Sequence, residues 1–208
     1  LTLPSYTRLA GSGADDTKLV APGSDSTVVL SGTTQAEISG VTITGAGEAA
    51  VLVTGYSNNI TVTRSLITGN ANGIVFEDGS SGATYNNTVA GNSGTAVLAS
   101  GSGSWAGVHN SILASNATGL STAGDGAIFN DYNLLYGNTH DYQDDAGTGL
   151  VQRSHEITGQ DPLFIDPAAG DYRLQASSPA VDSGEPLAPV PVGGGAVSDM
   201  GYDEVLAV

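Results

Sequence analysis

The chain has 208 residues, which is enough for one substantial domain, and it contains 30 glycines. Its 21 acidic and 5 basic residues give a formal net charge of −16, which argues against nucleic acid and anionic membranes as partners. The absence of cysteine excludes disulfides and thiol chemistry, and no apolar run in the sequence is long enough to span a membrane.

Aliphatic residues recur at a fixed interval along the first two thirds of the chain. An interval of 23 residues separates Val28, Val51, Ile74, Val97 and Leu120. The same interval gives a second aliphatic column, Ile43, Leu66, Val89, Ile112 and Leu135, and a third column, Val62, Tyr85, Val108 and Asp131, that is apolar until its last member. A period in the twenties is typical of a solenoid, in which one short unit stacks on copies of itself.

Between these columns the residues alternate in the manner of strands, as in Asn59 to Thr63. Frequent β-branched residues and recurrent glycine disfavour helix, and the coils lack the leucine ladder of a leucine-rich repeat. The sequence therefore predicts an all-β fold, a single-stranded parallel β-helix with about 23 residues per coil and three short strands in each.

Two polar series follow the repeat. Asn87, Asn110 and Asn133, with Arg64 one coil earlier, predict an inward asparagine ladder at a bend, with side-chain amides bonded along the axis. A second series has a spacing that varies by one residue and predicts a turn that tolerates changes in length. Its asparagines are Asn70, Asn92, Asn116 and Asn138.

We expect the coils to occupy residues 1–139 and residues 140–208 to hold the last coil or coils, an acidic loop and a C-terminal cap, all within one domain. An open β-helix end has unpaired backbone groups and bare apolar residues that favour end-to-end association. The tail is expected to lie across that end through Leu163, Phe164, Ile165, Leu174 and Val181.

The tail also carries a resemblance. Its segments in chain order are DPLFIDP at 161–167, GDYRL at 170–174, SPAVDSG at 178–184 and DMGYDE at 199–204. These segments are similar to the closing module of many secreted bacterial β-helix proteins, and the coils resemble the right-handed parallel β-helices of the pectin-lyase-like superfamily. The resemblance implies right-handed winding and an extracellular or cell-surface bacterial protein. It also implies either a lyase, hydrolase or epimerase acting on acidic polysaccharides, or a protein that binds glycans without turnover.

Ligands of a β-helix lie along an outward sheet face because the interior is filled. The two columns beside Val62 that we expect to face outward are Thr61, Thr84, Gly107 and Asn130, and Thr63, Asn86, His109 and Tyr132. Rungs about 4.8 Å apart would let successive sugars meet successive rungs, and Trp105, expected at a coil corner, would stack on a sugar ring. The candidate ligand-binding residues are Thr63, Asn86, Trp105, His109, Asn130 and Tyr132; the alternative is an ordinary solvated strand face.

Lyase chemistry needs a base that removes the proton beside the uronate carboxylate and a cation that stabilises the resulting anion. Arg64 or His109 is the candidate base, with Asp131 as a metal ligand or orienting group. The family's lyases usually pair a basic residue with calcium-binding acids on neighbouring rungs. This sequence departs from that pattern, because its basic residues are few and scattered and Asp131 alone lies near the polar ribbon.

Calcium is the candidate cofactor. Asp141, Asp144 and Asp145 offer hard oxygen ligands at close spacing in a loop that contains glycine. The loop lacks the pattern of an EF-hand, and a solvated acidic loop is the alternative interpretation.

These observations favour a noncatalytic β-helix module of a secreted or cell-surface bacterial protein that contacts polysaccharide. The alternative is a polysaccharide lyase or related enzyme acting on acidic glycans. A phage or adhesin fibre segment would need surfaces for trimerisation, and the absence of an exposed apolar stripe favours a monomer instead.

Overall fold

The computed structural model describes residues 1–21, 23–145, 147, 149–152, 155–191 and 193–206. Its strands are short and run from one end of the chain to the other. In chain order the elements are β1 (Arg8–Ala10), β2 (Lys18–Val20), β3 (Val28–Ser31), β4 (Thr34–Ser39), β5 (Thr42–Thr44), β6 (Ala49–Thr54), β7 (Asn58–Thr63), β8 (Leu66–Thr68), β9 (Asn72–Phe76), β10 (Ser81–Tyr85), β11 (Thr88–Ala90), β12 (Thr95–Ser100), β13 (Trp105–His109), β14 (Ile112–Ala114), β15 (Thr118–Ala123), β16 (Ala127–Asp131), β17 (Leu134–Tyr136), β18 (His140–Asp144), β19 (Leu150–Gln152), β20 (Ile157–Thr158), β21 (Phe164–Asp166), the 3₁₀ helix η1 (Pro167–Ala169) and β22 (Asp171–Leu174).

The strands form three parallel sheets that wind around one interior, which confirms the predicted parallel β-solenoid. Sheet A contains β3, β6, β9, β12, β15 and β18; sheet B contains β1, β4, β7, β10, β13, β16 and β19; sheet C contains β2, β5, β8, β11, β14, β17 and β20. Each coil passes through A, B and C in turn, and β21 pairs with β22 as a small antiparallel pair. In the described part of the chain, no helix is long and apolar enough to cross a membrane.

The first aliphatic column is confirmed. Val51 pairs with Val28 and Ile74, and Val97 pairs with Ile74 and Leu120. All five side chains are fully buried in the central core. Each apolar side chain packs on the side chain at the equivalent position of the next coil and is thereby removed from water. This burial is the main stabilisation that a solenoid has available.

The second and third predicted columns each mix residues from two neighbouring columns of the structure, because their alternate members lie one residue out of register. Ile43 pairs with Ile67, Ile67 with Val89 and Val89 with Leu113, so the intervals are 24, 22 and 24 residues. Leu66 and Ile112 belong to the neighbouring column, which faces outward.

The register shifts because two turns of each coil alternate in length from one coil to the next. Phe76 and Thr84 are eight positions apart, whereas the matching residues of the next coil, Ala99 and Val108, are nine apart. The turn from sheet C to sheet A is then one residue shorter in that next coil, so sheet A keeps a constant period.

The series that we predicted to mark a turn is the asparagine ladder of the interior. Asn70, Asn92, Asn116 and Asn138 lie between sheets C and A, and each Nδ2 donates to the Oδ1 of the next at 3.0, 3.0 and 3.1 Å. Each backbone N–H donates to the same oxygen. Asp141 ends the ladder by accepting from Asn138 Nδ2 at 2.9 Å.

The predicted ladder of Asn87, Asn110 and Asn133 is wrong at Asn110. The inward series between sheets B and C is Ser65, Asn87, Ser111 and Asn133, in which each backbone N–H donates to the side-chain oxygen of the next. Asn110 belongs with Arg64 to the outward column at the bend, where both have a positive φ.

The third corner has its own series, because Thr33 N–H donates to Ser57 Oγ and Ser57 N–H to Ser80 Oγ. All three corners therefore satisfy buried backbone amides with side chains of the next coil.

The coils continue past residue 139, through β18, β19 and β20. The predicted cap across the open end is wrong, since the tail packs against the outer face of sheet C. Leu174, Ala180 and Met200 form one buried cluster with Ile112 and Leu134. Phe164 and Val181 pack at its edge, while Ile165 is 48% exposed. The outer face of sheet C is apolar, so covering it stabilises the fold.

Hydrogen bonds fix the tail in this position. Asn110 Oδ1 accepts from Glu185 N–H at 2.8 Å, and Asn86 Nδ2 donates to the carbonyl of Asp199 at 3.0 Å. Tyr202 Oη donates to Asp15 Oδ1 at 3.0 Å and so reaches back to the first coil. The Asp199 carboxylate is buried and accepts from the Asp182 and Val205 N–H groups; burial raises its pKa.

Asn92→Ala removes the oxygen that accepts from the backbone N–H of Asn70 and one of the acceptors of the Asn70 side-chain amide. It also removes the Asn92 amide, which donates to Asn116. Because unsatisfied buried donors are costly, we expect the free energy of unfolding to fall by about 2 to 5 kcal/mol. The urea midpoint measures this change. The control Asn58→Ala alters an exposed asparagine and should change stability by about 0.5 kcal/mol or less; equal losses in the two variants would contradict the role of the ladder.

Candidate functional site

Three columns of outward side chains cover the middle of sheet B. The pairing of β10, β13 and β16 stacks Ser81, Trp105 and Ala127; Ala83, Gly107 and Phe129; and Tyr85, His109 and Asp131. We call this surface the aromatic face. Neighbouring columns are about 7 Å apart along a strand and successive rungs are about 4.8 Å apart.

Rings and small residues alternate on the aromatic face. Trp105, Phe129 and Tyr85 are 44, 42 and 40% exposed. Trp105 and Phe129 occupy diagonal positions and meet edge to face, with ring centroids 6.4 Å apart. Tyr85 and His109 are direct neighbours and stack with centroids 5.5 Å apart. The rings therefore brace each other while keeping exposed surface.

Gly107 lies between these rings and is itself buried. A Cβ built on Gly107 would lie 3.4 Å from the Cβ of Ala83 and 3.5 Å from His109 Nε2. The imidazole of His109 thus leans over the glycine, and its Nε2 faces the same surface as the rings.

A concavity adjoins Trp105 at the corner between sheets A and B. It measures about 400 Å³ and is open to solvent, and we call it the corner depression. Its lining residues are Gly103, Ser104, Trp105, Asp125, Ala127 and Phe129. Asp125 is exposed and is the acidic residue of this lining.

The structure brings only some of the predicted ligand residues together. Thr63 pairs with Tyr85 and so shares a column with His109, and Trp105 opens β13 on the same face. Asn86 lies instead at the bend beyond β10, where φ is 51° and its amide binds the tail.

The expectation that Asn130 faces outward is wrong. Asn130 pairs with Val108, points inward and is 1% exposed, because the shorter turn in its coil shifts the register by one residue. Thr84 is inward for the same reason. Asn130 Nδ2 donates to Glu156 Oε1 at 3.0 Å, and Asn133 Nδ2 donates to the same oxygen at 3.1 Å.

Glu156 occupies the last inward position of the Ser/Asn series, as Asp141 does for the asparagine ladder. Burial raises the pKa of Glu156 to about 7, and the nearby charge of Asp131 adds to that rise against the hydrogen bonds from Asn133 and Asn130. Within the described residues, Glu156 Oε2 and Asn130 Oδ1 are buried acceptors without a donor. A neutral Glu156 avoids burying a charge beside them.

Asp131 is an outward residue with a partner that sequence reasoning missed. Its Oδ1 lies 2.9 Å from His155 Nδ1, and the His155 side chain is 50% exposed. Tyr132 stacks on the His155 ring with centroids 4.3 Å apart. His155 follows the acidic loop, beyond the last residue of the 23-residue columns, so no repeat position pointed to it. A carboxylate at Nδ1 orients the ring with Nε2 outward, as a general base requires.

Arg64 does not join this group. It lies at the bend after β7 with a φ of 46° and lines a crevice with tail residues that include Tyr202 and Asp203. Of the two candidate bases, Arg64 therefore lies at the tail crevice, and His109 shares the aromatic face with Asp131.

The three aspartates of the predicted metal site point to different partners. Asp144 accepts from Thr122 Oγ1 and from the N–H groups of Gly149 and Leu150, while Asp141 ends the asparagine ladder. The backbone and Thr122 hydrogen bonds lower the pKa of Asp144 against the opposing effect of desolvation. Asp145 accepts from Gln143. Among the described residues, no three His, Asp or Glu side chains are arranged to hold a metal ion; Ala146 and Thr148 of the acidic loop lie outside them.

Comparison with known proteins agrees with this architecture. The family described as right-handed beta helix region matches residues 19–160. The chain belongs to this family. It is similar to the crystal structure of pectate lyase Pel9A, with a TM-score of 0.53 and 11% identity over 90% of this chain and 69% of that one. At this identity the likeness concerns the fold alone. A search of curated protein sequences finds no match.

Glu156→Gln tests the buried acid. The folded-state pKa of about 7 exceeds the ordinary value of 4.5, so its protonated form contributes stability that is fully present below the unfolded pKa and is lost as pH rises through the folded one. The amide mimics the neutral acid, so stability of the variant relative to wild type should rise between about pH 5 and about pH 8, by up to about 3 kcal/mol. Urea midpoints at the two pH values measure it. A difference that does not change with pH would contradict the assignment.

Proposed function

We propose that this β-helix is a noncatalytic module that binds polysaccharide along the aromatic face, as part of a secreted or cell-surface bacterial protein, and that it acts as a monomer. The single observation that carries the proposal is the alternation of exposed rings with small residues on adjacent rungs. Trp105 and Phe129 offer exposed ring surface, and the small side chain of Ala127 lines the corner depression beside them, which leaves room for a sugar. Aromatic side chains supply large contact area at a low cost in conformational entropy.

The surroundings of these rings suit hydroxyl groups. Ser81 and Thr63 flank the aromatic face and are partly exposed, and the His109 ring lies over Gly107. The backbone of sheet B is occupied by pairing with adjacent coils, so a ligand meets only side chains there. An extended glycan can follow successive rungs across this surface.

Binding to a panel of neutral, acidic and amino-bearing polysaccharides, followed by titration calorimetry, tests the proposal. Trp105→Ala should weaken the best ligand about tenfold or more, because a central exposed ring is the residue type that dominates such interfaces. The control Tyr6→Ala removes a ring that is 75% exposed in the first coil and should leave affinity unchanged. Failure of every glycan to bind, or equal affinity of the two variants, would refute the proposal.

A second candidate function rests on the Asp131–His155 contact. Its oriented imidazole, half-exposed at the edge of the aromatic face, has the geometry of a base that could remove the proton beside a uronate carboxylate. That arrangement favours the lyase alternative, with His155 rather than Arg64 as the base. Calcium binding by Asp141, Asp144 and Asp145 stays a prediction. Their carboxylates already accept protein hydrogen bonds and do not converge, so we assign calcium no step.

The absorbance of unsaturated uronate products distinguishes the two functions. We expect no product from pectate, alginate or chondroitin, with or without calcium, because the noncatalytic function needs no proton transfer. Product that disappears in His155→Ala but persists in His140→Ala, which alters an exposed histidine on β18, would establish the lyase instead. Product that requires added calcium would support the cofactor prediction.

A further inference from the structure

The corner depression combines an apolar ring surface with a carboxylate. Its lining includes Trp105, Phe129 and Asp125, and all three side chains are exposed. No Lys or Arg is part of its described lining. An exposed tryptophan face attracts a cation held within about 6 Å of the ring, and a nearby carboxylate strengthens that attraction.

The charge distribution favours a cationic ligand over an anionic one. The chain has a net charge of −16. Four Lys or Arg residues are described. Arg8 is paired with Glu37 at 3.1 Å and Arg173 with Asp171. Lys18 lies on sheet C, and Arg64 lines the crevice with the tail residues. Such a surface repels a polyuronate and raises the local concentration of a polycation.

The backbone around the depression favours a glycan over a peptide. Backbone groups of β13 and β16 are paired with the adjoining coils, so an extended peptide finds no free strand edge there for strand addition. A sugar ring that carries an amino group can present an apolar face to Trp105 and its ammonium to Asp125 at the same time.

We propose that the ligand of the aromatic face is a glycan with protonated amino groups, and that Trp105, Phe129 and Asp125 hold one amino sugar in the corner depression. This inference rests on the proposed function, and it names the chemical class that the site binds. The apolar face of the sugar packs on the Trp105 ring, and its ammonium pairs with the Asp125 carboxylate within about 6 Å of that ring. Phe129 packs against the edge of the sugar.

Titration calorimetry with a glucosamine hexamer, at a pH where its amines are protonated, tests the proposal against three matched probes. These probes are the N-acetylated hexamer, a galacturonate oligomer and a lysine hexamer. We expect the glucosamine oligomer to bind at least about tenfold more tightly than the acetylated one, with affinity that falls as salt is raised. Trp105→Ala should reduce affinity about tenfold or more, and Asp125→Asn roughly two- to fivefold. Asp16→Asn removes the same charge from an exposed turn between β1 and β2 and should have no effect.

Each other outcome has a distinct meaning. Equal or tighter binding of the acetylated hexamer or the galacturonate oligomer, still lost in Trp105→Ala, would overturn the amino-sugar assignment and leave the proposed function standing. Binding of the lysine hexamer as tight as that of the glucosamine hexamer would assign the depression to a basic protein segment and overturn the glycan. No binding by any saccharide probe would refute both the inference and the proposed function.

Discussion

The structure depends on supplying acceptors for backbone N–H groups that are buried where each coil bends. Within a strand, the backbone N–H groups pair with the coils on either side. At the corners this strand pairing is interrupted, and a buried backbone donor without an acceptor would be costly. Side chains of the next coil meet this need at all three corners. The contact from Asn70 to Asn92 is representative, because one Oδ1 accepts both the backbone and the side-chain donor of the coil before it.

This constraint also explains the acids at the end of two series. In each ladder, the donors of one coil bond to an acceptor in the next coil toward the C-terminus. The last coil therefore needs a final acceptor. Asp141 and Glu156 fill those places, so acids that resemble candidates for chemistry in the sequence have structural roles. The outward positions are then free to vary. The aromatic face, with Trp105 and Phe129 set diagonally, lies on a rigid scaffold that fixes the distance between rings.

The period of the coils was predictable because Val51, Ile74 and Val97 stack without interruption in sheet A. Register in the other sheets was not predictable from apolar pattern alone. Leu66 and Ile67 are adjacent aliphatic residues, and both are buried. Leu66 faces outward and Ile67 faces the interior, so a fixed 23-residue interval can select either one as the core residue. The alternating intervals between Asn70 and Asn138 carried the missing signal, and following them would have placed Asn130 inward.

The sequence predicted different parts of the tail and of the site. The apolar tail residues were identified, but their docking surface depends on sheet C having two apolar faces, which appears only once the register is known. Thr63 and His109 were placed on one surface correctly, whereas Trp105, expected at a coil corner, is the first residue of β13 on that same surface. His155 was missed because its contact with Asp131 joins two coils across a segment without repeat pattern.

Native-state hydrogen exchange at the backbone amides of Asn70, Asn92 and Asn116 tests the central claim most directly. Each donates to the side chain of the next coil at 3.0, 3.0 and 2.9 Å. If these ladders bind the coils together, the three amides exchange only through opening close to global unfolding. Exchange at the rate of an exposed turn would show that the corners are solvated and that the ladders do not hold the coils.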